Sequence, residues 1–312
     1  MVQYIGRRLL HLVGIMIAVS FLTFLLMYLA PGDAAAKKLN AQGIAVSEEV
    51  LEKTRESMGL NRPFLVQYGD WALHALQGDL GESYKDGFPV AGKLMKALRY
   101  TVILTVTSLA LALLTALPLS ILTALHKDSI LDDITRLFSF IGNSLPNFLI
   151  SVLLMYFLCV KAHWLPLVAN ESVKGLVMPC LALSIPICGR FIRQFRAELL
   201  EQLSKPYVSG AMLRGVKQRY VLRSVMHNAS IAILTIVGLS VGTLLGGSVV
   251  IETVFRWPGL GKLAMDAITN RDYPVIQGFV LFTSTVYVVI NLLIDICYSW
   301  IDPRLRRAGG GS

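Results

Sequence analysis

RFIRQFRAELLEQLSKPYVSGAMLRGVKQRYVLRSVMHN, Arg190–Asn228, is a polar, basic run set between two long apolar segments. It carries eight Lys or Arg against two acids. A chain that only had to turn and re-enter a bilayer could do so in a handful of residues; here about forty are used. At their centre Pro206 fits the first turn of a short helix and Gly215 supplies its left-handed stop. Val208, Ala211 and Met212 are expected to form its apolar edge, with Tyr207 and Arg214 alongside. A helix this short is marginal alone in water, so it needs a surface to lie on. That surface is the lipid headgroups, the chain's own helices, or a groove on a cytosolic protein that pushes on the helix as on a plug.

Outward from this loop the sequence is strongly apolar. Of 312 residues 54% are hydrophobic and 16% charged, with a mean hydropathy of +0.61; a soluble domain carries about a quarter charged residues. Six apolar runs, about 9–29, 101–125, 137–160, 176–195, 229–251 and 275–301, approach or exceed the roughly 20 residues that a helix needs to cross a bilayer. The expectation is an all-α, polytopic membrane protein with six transmembrane helices and an extracytoplasmic insertion after the first. The first run is longer than the h-region of a signal peptide and is expected to be retained. With the N-terminus inside, the inner pieces carry 15 Lys or Arg against 6 acids and the outer pieces 14 against 13. That asymmetry places both termini in the cytoplasm and accounts for the basic charge without nucleic acid.

The organisation expected is an N-terminal transmembrane helix (1–30), an extracytoplasmic cap (31–100), a core of five transmembrane helices (101–304) and a tail (305–312) ending in an expression linker. Within the core, 196–228 is the inner loop and 252–274 a scoop-like outer segment. In the cap, Ser47 with two acids after it reads as a helix start, the helix stopping at Gly59. A second helix, Gln67–Leu76, is expected to carry Tyr68, Trp71 and Leu76 on one face. This region reads as a cap on the outer mouth or a docking surface for an external partner.

In the third span Asn143, Ser144 and Asn147 are polar groups at membrane depth, and Pro146 frees a backbone carbonyl. They are either packing groups or part of a pathway or gate. Arg190, Arg193 and Arg196, three apart, are expected to anchor at the inner headgroups. Gly238, Gly242 and Gly246 form a smooth helix-packing stripe. Asn291 and Asp295, four apart, read as hydrogen-bonded packing groups, with an ion site as the alternative for Asp295. Glu252, Trp257, Asp272 and Tyr273 are expected at the outer mouth.

No phosphate-binding loop is present, and Gly259–Lys262 has the wrong spacing for one. The five histidines are scattered, the four cysteines lie in apolar runs, and no nucleophilic constellation is visible. No metal site, no bound cofactor and no enzyme activity are expected of this chain.

The whole chain resembles the inner-membrane permease subunits of ATP-binding-cassette importers of the dipeptide, oligopeptide and nickel group. The resemblance rests on Arg7-Arg8, Pro31-Gly32-Asp33, Gly59-Leu60 with Pro63 and Gln67-Tyr68, and Gly78-Asp79-Leu80-Gly81 with Ser83. It continues in Trp164-Leu165-Pro166, the loop residues Ala211 and Gly215, and Trp257-Pro258-Gly259-Leu260-Gly261 between Glu252-Phe255 and Arg271-Asp272-Tyr273-Pro274, and ends in Asp302-Pro303-Arg304. The usual Glu-Ala-Ala start of the coupling signature is here Ser209, Gly210 and Ala211, so no salt bridge is expected from Ser209. The resemblance implies a binding-protein-dependent importer permease fold in a bacterial cytoplasmic membrane. It also implies a second similar permease, two cytosolic ATPases that hold the ATP and Mg, and an extracytoplasmic binding protein. ATP would close the ATPases and drive the short inner helix. Ser47–Trp71 and Leu213–Gln218 resemble nickel or metallophore permeases; a dipeptide or oligopeptide cargo is the alternative, and an ion-coupled secondary carrier a remote one.

Overall fold

A computed structural model describes residues 2–29, 33–41, 47–169 and 172–301. The helices are α1 (Val2–Leu29), α2 (Ala34–Ala41), α3 (Glu48–Ser57), α4 (Phe64–Leu76), α5 (Val90–Leu125), α6 (Ile130–Ser144) and α7 (Asn147–Leu154). A π-helical turn, Met155–Lys161, continues α7; then follow α8 (Val173–Leu203), α9 (Pro206–Leu213), α10 (Gln218–Phe255), α11 (Leu260–Asn270) and α12 (Tyr273–Ile301). Each of the six apolar runs falls on helix, and the protein is a polytopic helical membrane protein. Among the described residues, four segments are long and apolar enough to cross a bilayer: Val90–Leu125, Val173–Leu203, Gln218–Gly246 and Tyr273–Ile290. Val13–Leu29 is a shorter apolar helix.

The third run is not one straight span. α6 and α7 meet at 104°, with Leu145 extended (φ −77°, ψ 132°) and Pro146 capping α7. Proline has no N–H to give the preceding turn, and it drives the residue before it out of the helical region. Pro118, Pro179 and Pro186 have the same chemistry, yet α5 and α8 continue through them.

Two compact units result. One comprises Met1–Tyr100 with Pro258–Val289. Its core joins Val90, Leu94 and Ala97 to Leu260, Ala267 and Val275. α5 begins at Val90, well before the expected span, because these first turns belong to that core. Ser47 caps α3 by accepting the Val50 N–H at 3.4 Å, and Gly59 (φ 67°) ends it. In α4, Phe64, Tyr68 and Trp71 pack on Phe24 of α1 at ring separations of 5.6–6.1 Å. Leu76, expected on that face, is 86% exposed: five residues beyond Trp71 is about 140° round the helix.

The other unit comprises Thr101–Trp257 with Ile290–Ser312. Here α8 is the central post, packed by α6, α7 and α10. At Gly189 α8 approaches α6 so closely that a Cβ would lie 2.7 Å from the Ser139 carbonyl oxygen. Of the glycines singled out for packing, Gly238 is buried, Gly242 half-buried, and Gly246 exposed with open space where its Cβ would be. The side chains of Arg7, Arg8, Asn291 and Asp295, and all of Pro31, Gly32 and 302–312, lie outside the described parts.

Candidate functional site

The inner loop folds as its local chemistry dictates. Pro206 occupies the first turn of α9, where a missing N–H costs nothing. At the other end Gly215 (φ 72°) donates to the Met212 carbonyl at 2.9 Å and Val216 to the Ala211 carbonyl at 3.1 Å. These two bonds form a Schellman cap. One residue seats the helix: Val208, 2% exposed, packs with Ala124, Leu199, Val221, Val225 and Ala229, with Tyr207 and Ala211 at the rim. Burying it stabilises the seat by about 2 kcal/mol.

Met212 does not share that edge. It is 52% exposed and Leu213 89%, although Met212 lies only about 40° round the helix from Val208, on the side away from Ala211. The chain's own helices are therefore the surface α9 lies on, and the outward side presents Met212 and Leu213 with exposed Arg214, Lys217 and Arg219 beside them. Arg214 bonds back to the Gly210 carbonyl at 3.0 Å. The structure thus brings Pro206, Tyr207, Val208, Ala211, Met212, Arg214 and Gly215 together on one knob.

Sequence reasoning missed the strongest polar contact of this unit. Asp132 at the start of α6 is fully buried and takes a two-pronged bond from Arg196 of α8, Nε–Oδ1 2.7 Å and Nη2–Oδ2 2.6 Å. The Asp128 N–H and Arg136 complete its shell at 3.1 and 3.3 Å. Arg196, expected at the headgroups, is thus turned into the protein, whereas Arg193 is exposed. The legible signal was Ser129, which caps α6 by accepting the Asp132 N–H at 3.3 Å; the arginine partner lies 64 residues on.

Asn143 and Asn147 flank the α6–α7 break half-buried, with Ser144 and Pro146 exposed. The structure places these four together at the bend.

The residues expected at the outer mouth are mostly buried. Glu252, 0% exposed, accepts the Thr101 hydroxyl at 2.7 Å, and its carbonyl accepts the Trp257 N–H at 2.8 Å. In the first unit Asp272 accepts from the Ser83 hydroxyl at 2.5 Å and the Tyr84 N–H at 2.9 Å, and Lys93 bonds Ser83 at 3.0 Å. Burial, with the charge of Asp272, pushes the Tyr84 phenol up to about 12. Tyr273 is half-buried and helps to line a cavity of 460 Å³ with Tyr28, Arg62, Asp70, Trp71 and Tyr84.

Comparison with known proteins agrees with this architecture. Residues 116–307 match the family described as binding-protein-dependent transport system inner membrane component, and residues 1–105 match its N-terminal part. A probable peptide ABC transporter permease of Sinorhizobium fredii is 38% identical, over 97% of this chain and 99% of that one. The metal-staphylopine import system permease CntB of Staphylococcus aureus is 35% identical, over 98% and 99%. The glutathione transport system permease GsiC of Salmonella choleraesuis is 36% identical over the same shares. Among solved structures, an inward-facing MetNI methionine ABC transporter aligns with a TM-score of 0.55 at 15% identity, over 67% of this chain and 96% of that one, a likeness of fold.

Proposed function

The chain belongs to the family of binding-protein-dependent transport system inner membrane components, and from that premise we propose that α9 is where cytosolic ATPases drive it. The carrying observation is the knob itself: a short helix seated through Val208 and capped by Gly215, with Met212 and Leu213 turned outward. Two exposed apolar side chains beside three cations fit a groove on another protein better than bulk water. The partners are two ATPases, which hold ATP and Mg, a second permease completing the pathway, and an extracytoplasmic binding protein. The eight cations of the Arg190–Asn228 loop support a cytoplasmic position for α9 and both termini.

The path of a push follows the packing. α9 is joined to α8 by Ser204 and Lys205, α8 is tied to α6 by the buried Arg196–Asp132 pair, and α6 ends at the break beside Asn143 and Asn147. A displacement of α9 reaches that break through a rigid post and one ion pair. The cargo is a nickel ion or metal chelate handed over by the binding protein, supported by the resemblance of Ser47–Trp71 and by the relative named for metal-staphylopine import. A peptide cargo is the second reading, favoured by the relatives named for peptide and glutathione transport.

Reconstituted with its ATPases, Met212→Asp and Gly215→Val are expected to keep assembly and ATP hydrolysis and to lose uptake. Normal uptake in both would overturn the coupling role. Competition between radioactive nickel chelate and dipeptides for uptake decides the cargo.

A further inference from the structure

We propose that α4 is not a helix of an aqueous cap but lies flat in the outer leaflet, with its exposed apolar ridge in contact with lipid acyl chains. The helix has three faces. Phe64, Tyr68 and Trp71 pack on α1. Gln67, Asp70 and His74 form a polar stripe: Gln67 donates to the Leu60 and Arg62 carbonyls at 3.0 and 2.7 Å, and Asp70 and His74 are more than half exposed. At 100° per residue the point opposite that stripe is the ridge Leu65, Ala72 and Leu76. Leu65 is 69% exposed, Leu76 86%, and Leu73 beside them 61%. A helix with one polar stripe and an apolar remainder is the form that lies in a membrane interface.

The depth of its contact with α1 selects the occupant. Phe24, at the centre of the contact, lies five residues before the outer end of α1 at Leu29, about 7 Å along the helix. That is within the 5–10 Å at which interfacial helices sit. Tyr68 reaches deeper: its hydroxyl lies 3.0 Å from Ser20 Oγ and bonds the Ile17 carbonyl at 3.5 Å. A phenol held there must find its partner within the protein, as this one does. Leu22, Leu26 and Leu29 of α1, on the side of that helix away from α4, are 55–68% exposed, as a span bordered by lipid leaves them. A soluble docking protein cannot follow a ridge below the headgroups. α3 is the contrast: it exposes Glu48, Glu49, Glu52 and Lys53, as a helix in water does.

The test places the complete transporter in nanodiscs of phosphatidylethanolamine and phosphatidylglycerol containing a phospholipid with a diazirine on its acyl chain. Photolabel is expected on wild-type residues 64–76 and not on 48–57. In a background free of native cysteines, a bimane at Leu65→Cys or Leu76→Cys is expected to be quenched about threefold more by doxyl-acyl lipid than one at His74→Cys. The proposal is overturned if 64–76 escape the photolabel, if the order of quenching reverses, or if adding the binding protein abolishes lipid quenching at Leu76. The wild-type labelling decides if the cysteine variants do not assemble.

Discussion

The seat of α9 and the turn between α11 and α12 hold their elements in opposite ways. α9 rests on one buried valine in an apolar cluster, with a Tyr207–Gln202 hydrogen bond of 3.4 Å and the solvent-exposed Lys205–Glu201 pair at its edge. The α11–α12 turn hangs on Asp272, 3% exposed, which accepts from Ser83 and the Tyr84 backbone. Apolar contact is non-directional, so a helix can tilt on it while keeping much of the contact. A buried carboxylate with two donors is either satisfied or costly. α9 is thus built to shift and the α11–α12 turn to stay.

The largest expected effect is at the α11–α12 turn. Asp272→Ala strands the Ser83 hydroxyl and the Tyr84 N–H, and is expected to lower stability by about 3 kcal/mol in detergent-solubilised thermal unfolding. Asp272→Asn, which keeps an acceptor, is expected to lose less; equal losses would mean that charge rather than hydrogen bonding holds the turn. At the seat, Val208→Ala is expected to cost about 1–2 kcal/mol. Faster amide exchange should be confined to the inner loop, and exchange spreading over all of α8 would refute a loosely seated helix.

The smallest effect is a pH dependence of the 82–89 loop. Burial pushes the Asp86 carboxyl up, but the hydrogen bond from Lys93 at 2.5 Å, the Phe88 N–H and the Lys93 charge outweigh it and hold the group below the ordinary carboxylate value. A depressed folded value means that the contribution is fully present above the unfolded value near about 3.9 and is lost as pH falls through the folded one. Because Asp86 is about a third exposed, solvent screens the pair and keeps the effect small. Stability should fall more steeply below pH 4 in the wild type than in Lys93→Met; identical acid limbs would remove the pair from the account.

Much of this protein was legible because the deciding physics is local. Long apolar runs mark candidate spans. Ser47 before two acids can cap only a helix that follows it, and Pro206 and Gly215 bracket α9 within eight residues that bond to one another. Local reading failed where a face had to be chosen. The sequence makes Leu76 and Met212 apolar without saying what they face, and only the packing of α4 on α1 and of α9 on Val208 turned them outward.

The sequence by itself determined the caps of α3 and α9 and which runs are apolar enough for a membrane, since these follow from contacts within a few residues. Only the tertiary structure decided that Arg196 meets Asp132, 64 residues apart, and that Ser83 meets Asp272, 189 apart. It also decided that Pro146 breaks its helix while Pro118, Pro179 and Pro186 do not. The reason is the same in each case: a long-range pair, or the fate of a freed carbonyl, depends on which helix arrives alongside, and periodicity carries no record of that.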